Sequence, residues 1–235
     1  MIKENLEKVL ARIHSACARA GRDPGSVILV GVTKYSDAAL VNEAIAAGLR
    51  HIGENRVQSA REKFPLLAGP VTRHLIGHLQ TNKAKDAVEL FDLIQSVDSV
   101  KLVAEIDKRA GAAGKAQDIL LQVDIAREEQ KFGLPEEEID AFLARAAAMD
   151  HLRVRGLMAM APLTEDRDAI RSVFRRLRAH FERIAKEHAG SARIIMEHLS
   201  MGMSGDHEIA IEEGATMVRI GSAIFKGDMD RVSPQ

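Results

Sequence analysis

The stretch VILVGVTK, residues 27–34, is a nearly unbroken apolar run that stops on a lysine. A short run of this kind reads as a β-strand covered on both faces, the condition of a parallel sheet. Seven further runs follow it: HIGEN (51–55), RHLIGHL (73–79), LIQSVD (93–98), ILLQVDI (119–125), RVRGLMAM (153–160), RIIMEHLS (193–200) and MVRIGSAI (217–224). Helical patterns lie between them. In residues 167–188, Ile170, Val173, Phe174, Leu177, Phe181 and Ile184 recur at spacings of three and four, an amphipathic stripe that belongs against the outside of a sheet. Pro135 stands at a favoured start for a helix over 136–149, and Ser99 is placed to cap a helix over 99–113 that meets Gly114. Gly48 and Gly214 stop helices over 37–47 and 208–213, and a further helix over 3–20 precedes the first strand.

Eight strand–helix alternations without a second compositional zone predict a single α/β domain over residues 1–235. The expected architecture is a (β/α)8 TIM barrel over about residues 27–225 with an extra N-terminal helix. An open, doubly wound sheet has the same periodicity, because periodicity does not reveal closure.

Composition narrows the function classes. The chain of 235 residues is 46% hydrophobic and 29% charged, and its net charge of -1 supplies no global field for nucleic acid or an anionic membrane. Aromatic residues are 3%, too few for a stacking platform, so the arginines at 167, 171, 175, 176, 178 and 183 read as a solvated helix face paired with Glu182 and Glu187. No apolar run approaches the roughly 18 residues of a membrane span, and the N-terminus lacks the apolar core of a secretory signal, so a cytoplasmic location is expected. Cys17, the single cysteine, falls in helical step with Leu6, Leu10 and Ile13 and reads as a small buried hydrophobe.

Three features carry chemistry. Lys34 sits at the C-terminal end of the first strand, the barrel face where active sites are built. Its amine suits carbonyl substrates and pyridoxal 5′-phosphate (PLP), while the plain alternative is a strand-end lysine reaching into water. The loop LSMGMSGDHE and the strand end VRIGSAIF bring Gly202, Gly205 and Gly221 together with Ser200, Ser204 and Ser222, where barrels often bind phosphate. A helix starting near Ser204 would aim N–H groups at an anion, though turn glycines and a capping serine need no ligand. Arg219 lies within an apolar strand and needs a partner there. That partner is either the pyridine nitrogen of a bound cofactor or a carboxylate such as Glu197 or Glu54.

GVTKYS (31–36), HIGENRVQ (51–58), HLIGHLQTNKAK (74–85), RGLMAMAP (155–162), LSMGMSGD (199–206) and MVRIGSAIF (217–225) together resemble the pyridoxal-phosphate homeostasis proteins, the YggS/PROSC family. The resemblance runs from about Glu4 to Phe225. It implies an alanine-racemase-like N-terminal barrel standing alone, with Lys34 as the Schiff-base lysine and Arg219 facing the pyridine nitrogen. It further implies that Ser200, Ser204, Gly221 and Ser222 lie where the phosphate is held, that Asn55 and His74 line the ring, and that Met203 is among the cofactor-binding residues. Two departures are visible: Arg73 stands where the family often has Trp, and Lys226 interrupts a Phe-Gly ending, with Gly227 one residue late.

The functional expectation is a PLP-binding protein that buffers or delivers the cofactor to PLP-dependent apoenzymes, with no catalytic residue assigned. An amino-acid racemase is the alternative. Racemisation needs acids and bases on both faces of the cofactor, and the one tyrosine, Tyr35, follows Lys34 directly and points to the other face if the strand persists there. The spacing of His74 and His78 fails as a metal site on a strand and loop, and consecutive Asp206, His207 and Glu208 rarely converge on one ion, so no metal is expected. A monomer is expected too, since the extra β domain through which such racemases pair is missing.

Overall fold

The computed structural model describes residues 1–126 and 132–226. Its strands are β1 (Ile28–Val32), β2 (His51–Glu54), β3 (Thr72–Leu75), β4 (Leu93–Val97), β5 (Gln117–Asp124), β6 (Leu134–Pro135), β7 (Leu152–Met158), β8 (Ile194–Ser200) and β9 (Met217–Ile220). The helices are α1 (Ile2–Arg19), α2 (Ala38–Ala46), α3 (Val57–Lys63), α4 (Ala84–Leu90), α5 (Val100–Ala112), α6 (Ile139–Ala147), α7 (Arg167–Glu187), α8 (His207–Glu212) and α9 (Ser222–Phe225). All pairings are parallel, and the ring β1–β2–β3–β4–β5–β7–β8–β9 returns to β1, so the sheet is a closed (β/α)8 barrel. The two-residue β6 pairs only with the end of β5.

Closure sorts the apolar side chains into two sets. Ile28, Val30, Leu93, Leu120, Met158 and Met217 pack together inside the ring, and a much larger cluster fills the layer between strands and helices. The amphipathic stripe of α7 buries Ile170, Val173, Phe174, Leu177 and Ile184 in that outer layer. Helix α1 buries Leu6, Val9, Ile13, Ala16 and Cys17 and packs against α2, α8 and α9. Asn5 donates to the Ile224 carbonyl at 3.0 Å, and Arg12 and Arg19 pair with Glu208 and Glu212. The extra helix therefore braces the segments that follow β8 and β9.

Asp37 and Ser99 accept backbone N–H bonds as the caps of α2 and α5. Helices α3 and α4 are preceded by Arg56 and Lys83, which give no side-chain cap, and so no start signal marks them in the sequence. Some boundaries differ from the sequence reading. The run MVRIGSAI divides at Gly221 into β9 and α9, and RHLIGHL leaves the sheet after Leu75. A 3-10 turn, Glu136–Glu138, opens the segment read as one helix over 136–149. No described helix is long and apolar enough to cross a membrane, and Gly227 lies outside the described residues.

Candidate functional site

The end of β1 is gripped from outside the barrel. Thr33 is buried and donates through Oγ1 to Glu54 Oε1 at 2.6 Å, while its carbonyl accepts Lys63 Nζ at 2.6 Å. Lys63, at the end of α3, also pairs with Glu54 Oε1, so a fully buried carboxylate is matched by an ammonium on the helix that follows its strand. This clamp fixes where Lys34 leaves the strand. The Lys34 side chain is half-buried, with Nζ 5.0 Å from the centre of the Tyr35 ring, and Lys226 Nζ stands 5.7 Å from the same ring. The strand does not persist to Tyr35: β1 ends at Val32, so the alternation that would turn Tyr35 away from the lysine does not apply. Lys34 also borders a cleft of about 260 Å³ formed by the β1–α2 segment and α3, with Ser36, Ser59, Glu62 and Lys63 among its lining.

Parallel register brings the other residues to the same rim. Val32 lies opposite Gly53, and Gly53 opposite His74, so Lys34 and Asn55 continue from one level of the ring. Asn55 Oδ1 is buried without a hydrogen-bond partner among the described residues, an acceptor left for a ligand or water. On the other side, a Cβ at Gly221 would stand 3.0 Å from the Val32 carbonyl oxygen and 3.1 Å from its Cβ, so the backbone there abuts the end of β1. Ser222 Oγ lies 3.2 Å from Ser204 Oγ and ties the start of α9 to the loop after β8. That loop turns at Gly202, whose φ of +92 suits glycine and whose added Cβ would meet Ala210 Cβ at 2.5 Å. Met203 is half-buried; its N–H donates to Asp206 Oδ1, and its carbonyl accepts the His207 N–H at 2.9 Å. The anticipated helix start near Ser204 therefore falls at His207.

Beneath the rim a polar chain crosses the barrel interior. Arg219 donates through Nη1 to Ser200 Oγ at 2.7 Å and through Nη2 to the Ala159 carbonyl at 3.0 Å. Ser200 Oγ donates to Gln95 Oε1 at 2.6 Å. Gln95 Nε2 lies 3.0 Å from His74 Nδ1, and His74 Nε2 lies 3.0 Å from His51 Nδ1. Neither carboxylate considered for Arg219 reaches it: Glu197 pairs with Arg155 and Glu54 with Lys63. Among the described residues the Ser200 hydroxyl bonds Gln95 and Arg219 and neither Ser204 nor Ser222, so it belongs to the Arg219 chain. Arg73 packs over the Phe64 ring while His74 points into the barrel, the alternation expected of strand neighbours.

Burial pushes Arg219 down to about 10, which leaves it charged at neutral pH. Burial, reinforced by His51 and His198, pushes His74 down to about 3, and the pKa values of His51 and His198 are lowered chiefly by burial as well. These groups fold neutral but take up protons when the chain unfolds. Between pH 6.5 and 3 the unfolded chain thus binds more protons at His74, and stability must fall as pH falls through that window. We predict a loss of up to about 1.4 kcal/mol per pH unit from His74 alone, read from urea unfolding between pH 6.5 and 5. A flatter slope in His74→Gln is expected; an unchanged slope would refute the assignment.

Sequence reasoning missed Gln95, Thr33, Lys63 and the Ala159 carbonyl, and it offered Glu54 to Arg219 where the structure pairs it with Lys63. Only Gln95 left a signal, as a glutamine in the middle of a fully buried strand. Other groups are engaged elsewhere. His78 pairs with Asp98 at 3.3 Å and stacks on Phe132. Glu208 pairs with Arg12 and Arg19, while Asp206 holds the Met203 N–H, so these neighbours do not converge. No cluster able to hold a metal ion occurs among the described residues. On α7, Arg178 and Arg183 pair with Glu182 and Glu187 as expected, and Arg171 and Arg175 reach Glu213.

Residues 5–228 match the family model described as alanine racemase, N-terminal domain. A pyridoxal phosphate homeostasis protein of Pseudomonas aeruginosa is 42% identical over 225 residues, covering 95% of this chain and 94% of that protein. One from Aquifex aeolicus is 39% identical over 223 residues, covering 94% and 96%. The structure of PipY from Synechococcus elongatus with PLP bound superposes with a TM-score of 0.83 at 36% identity, covering 96% of this chain and 100% of that one. With its closed barrel and full-length likeness to these proteins, the chain belongs to the pyridoxal phosphate homeostasis protein family.

Proposed function

We propose that this protein holds PLP on Lys34 and buffers or delivers it, without strong catalytic activity of its own. The observation that carries the reading is the half-buried Lys34 amine at a rim it shares with the unpartnered Asn55 Oδ1, above a buried, charged Arg219. The PLP-bound structure of PipY supports it. When bound, PLP supplies an aldehyde that condenses reversibly with a lysine amine to a Schiff base, with loss of water. Lys34 is the anchoring amine, and its flexible stem lets Nζ leave the Tyr35 ring for the barrel mouth. The backbone at Gly221 with Met203, Ser204 and Ser222 holds the phosphate, and Asn55 and His74 line the ring. Arg219 faces the pyridine nitrogen as a donor that cannot give up its proton at neutral pH, and Ser200 orients it.

A carrier reading fits the second face. Tyr35, the one tyrosine, is 74% exposed beside Lys34, leaving no tyrosine to act opposite the lysine. Recipients are PLP-dependent apoenzymes met in the cytoplasm by a single-domain monomer. In the test, PLP-loaded protein is mixed with an apo-aminotransferase, and regained aminotransferase activity is followed alongside turnover of D- and L-alanine by the loaded protein alone. Activity regained without alanine turnover supports the carrier. Alanine racemised at ordinary enzyme rates, about 10 per second, would refute it.

A further inference from the structure

Arginine carries only hydrogen-bond donors, and that fact sets the direction of the whole interior chain. Ser200 Oγ must accept from Arg219, so its single proton goes to Gln95, 2.6 Å away. The oxygen of Gln95 is thereby fixed toward Ser200 and its amide nitrogen toward His74. Gln95 Nε2 has only protons to offer, so His74 Nδ1 must accept, and His74 carries its own proton on Nε2, where it donates to His51 Nδ1. Each bond points the same way, from Arg219 to His51. Gln95, Ser200 and His74 are all buried, so no bulk water can substitute for a missing partner. Protonating His74 would set an N–H against the Gln95 amide, which agrees with the depressed His74 pKa.

We propose that Gln95 is a positioning residue for the cofactor: through Ser200 it holds the Arg219 guanidinium under the pyridine nitrogen, and through its amide it locks His74 as the neutral Nε2–H tautomer. The inference rests on the reading that the barrel mouth holds PLP, but half of it concerns the protein alone. Gln95 touches neither Arg219 nor the mouth directly. Its effect passes through Ser200, whose second acceptor site the Gln95 oxygen leaves free for the guanidinium, while the Ala159 carbonyl holds the other end.

The test uses the full-length protein with and without PLP. In cofactor-free, 15N-histidine-labelled wild type at pH 7, His74, assigned with a His74→Gln control, gives the signals of a neutral ring with its proton on Nε2. In Gln95→Met those signals shift toward a tautomer mixture, PLP binds about tenfold more weakly, and the absorbance maximum of the bound cofactor moves. Unchanged His74 signals, affinity and absorbance maximum in Gln95→Met would overturn the proposal. If Gln95→Met does not fold, Ser200→Ala and Ser200→Thr decide. Loss of affinity in the alanine variant with rescue by threonine, which restores the hydroxyl, supports it, and equal behaviour of the two overturns it. Wild type that takes up no PLP would instead sink the proposed function, while the His74 signals would still judge the chain.

Discussion

Lys34→Ala is expected to fold like wild type, to give no visible absorbance band with PLP, and to retain the cofactor at least about a hundredfold less well. The stability half of the expectation follows from surroundings. The Lys34 side chain makes no hydrogen bond among the described residues, lies beyond the end of β1 and is half-buried, so truncation should change stability by no more than about 0.5 kcal/mol. The binding half follows from chemistry. Without an amine at that place the remaining contacts are reversible hydrogen bonds to phosphate and ring. Lys63 does not substitute, because its Nζ is already engaged by Thr33 and Glu54. Difference spectra and circular dichroism on the same sample check both halves. A wild-type band in the variant would move the anchoring amine elsewhere.

Lys63→Met should destabilise the fold by about 3–5 kcal/mol, the cost of leaving a buried carboxylate without its cation. Glu54 has 0% exposure, its Oε1 is shared by Lys63 and Thr33, and its Oε2 has no hydrogen-bond partner among the described residues. Removing the ammonium also frees the Thr33 carbonyl, the peptide that leads into Lys34. For a chain of this length the loss corresponds to a fall in Tm of about 10 °C. The double variant Lys63→Met/Glu54→Leu should regain much of it, since an apolar pair leaves no buried charge. Thermal melts check this. Equal melting temperatures for the single and double variants would mean that the pair is not what matters there.

The barrel was legible because eight apolar runs recur between helical stripes and because a parallel sheet covered on both faces leaves that mark. Closure was not, since it depends on β4 pairing with β5 and β1 with β9, a long-range fact that no local pattern carries. Boundaries failed where backbone direction changes within an apolar run. MVRIGSAI looks continuous, yet Gly221 turns it from strand into helix. In the site, Lys34 and the glycine–serine loops could be read from their position at strand ends. The Thr33–Glu54–Lys63 clamp could not, because its members lie just past β1, on β2 and on α3, and each looks ordinary alone. Of the two partners considered for Arg219, the carboxylate failed for a related reason. A buried guanidinium suggests a carboxylate in contact, but here a serine hydroxyl and a backbone carbonyl receive it, while Asp206 acts on its charge only through space.

The measurement that tests the central claim most directly is borohydride reduction of wild-type protein incubated with PLP, followed by peptide mass mapping. The account predicts one phosphopyridoxyl adduct, on the peptide that contains Lys34, formed as the visible band disappears. An adduct confined to Lys63, Lys226 or another lysine, or no band and no adduct in excess PLP, would contradict it.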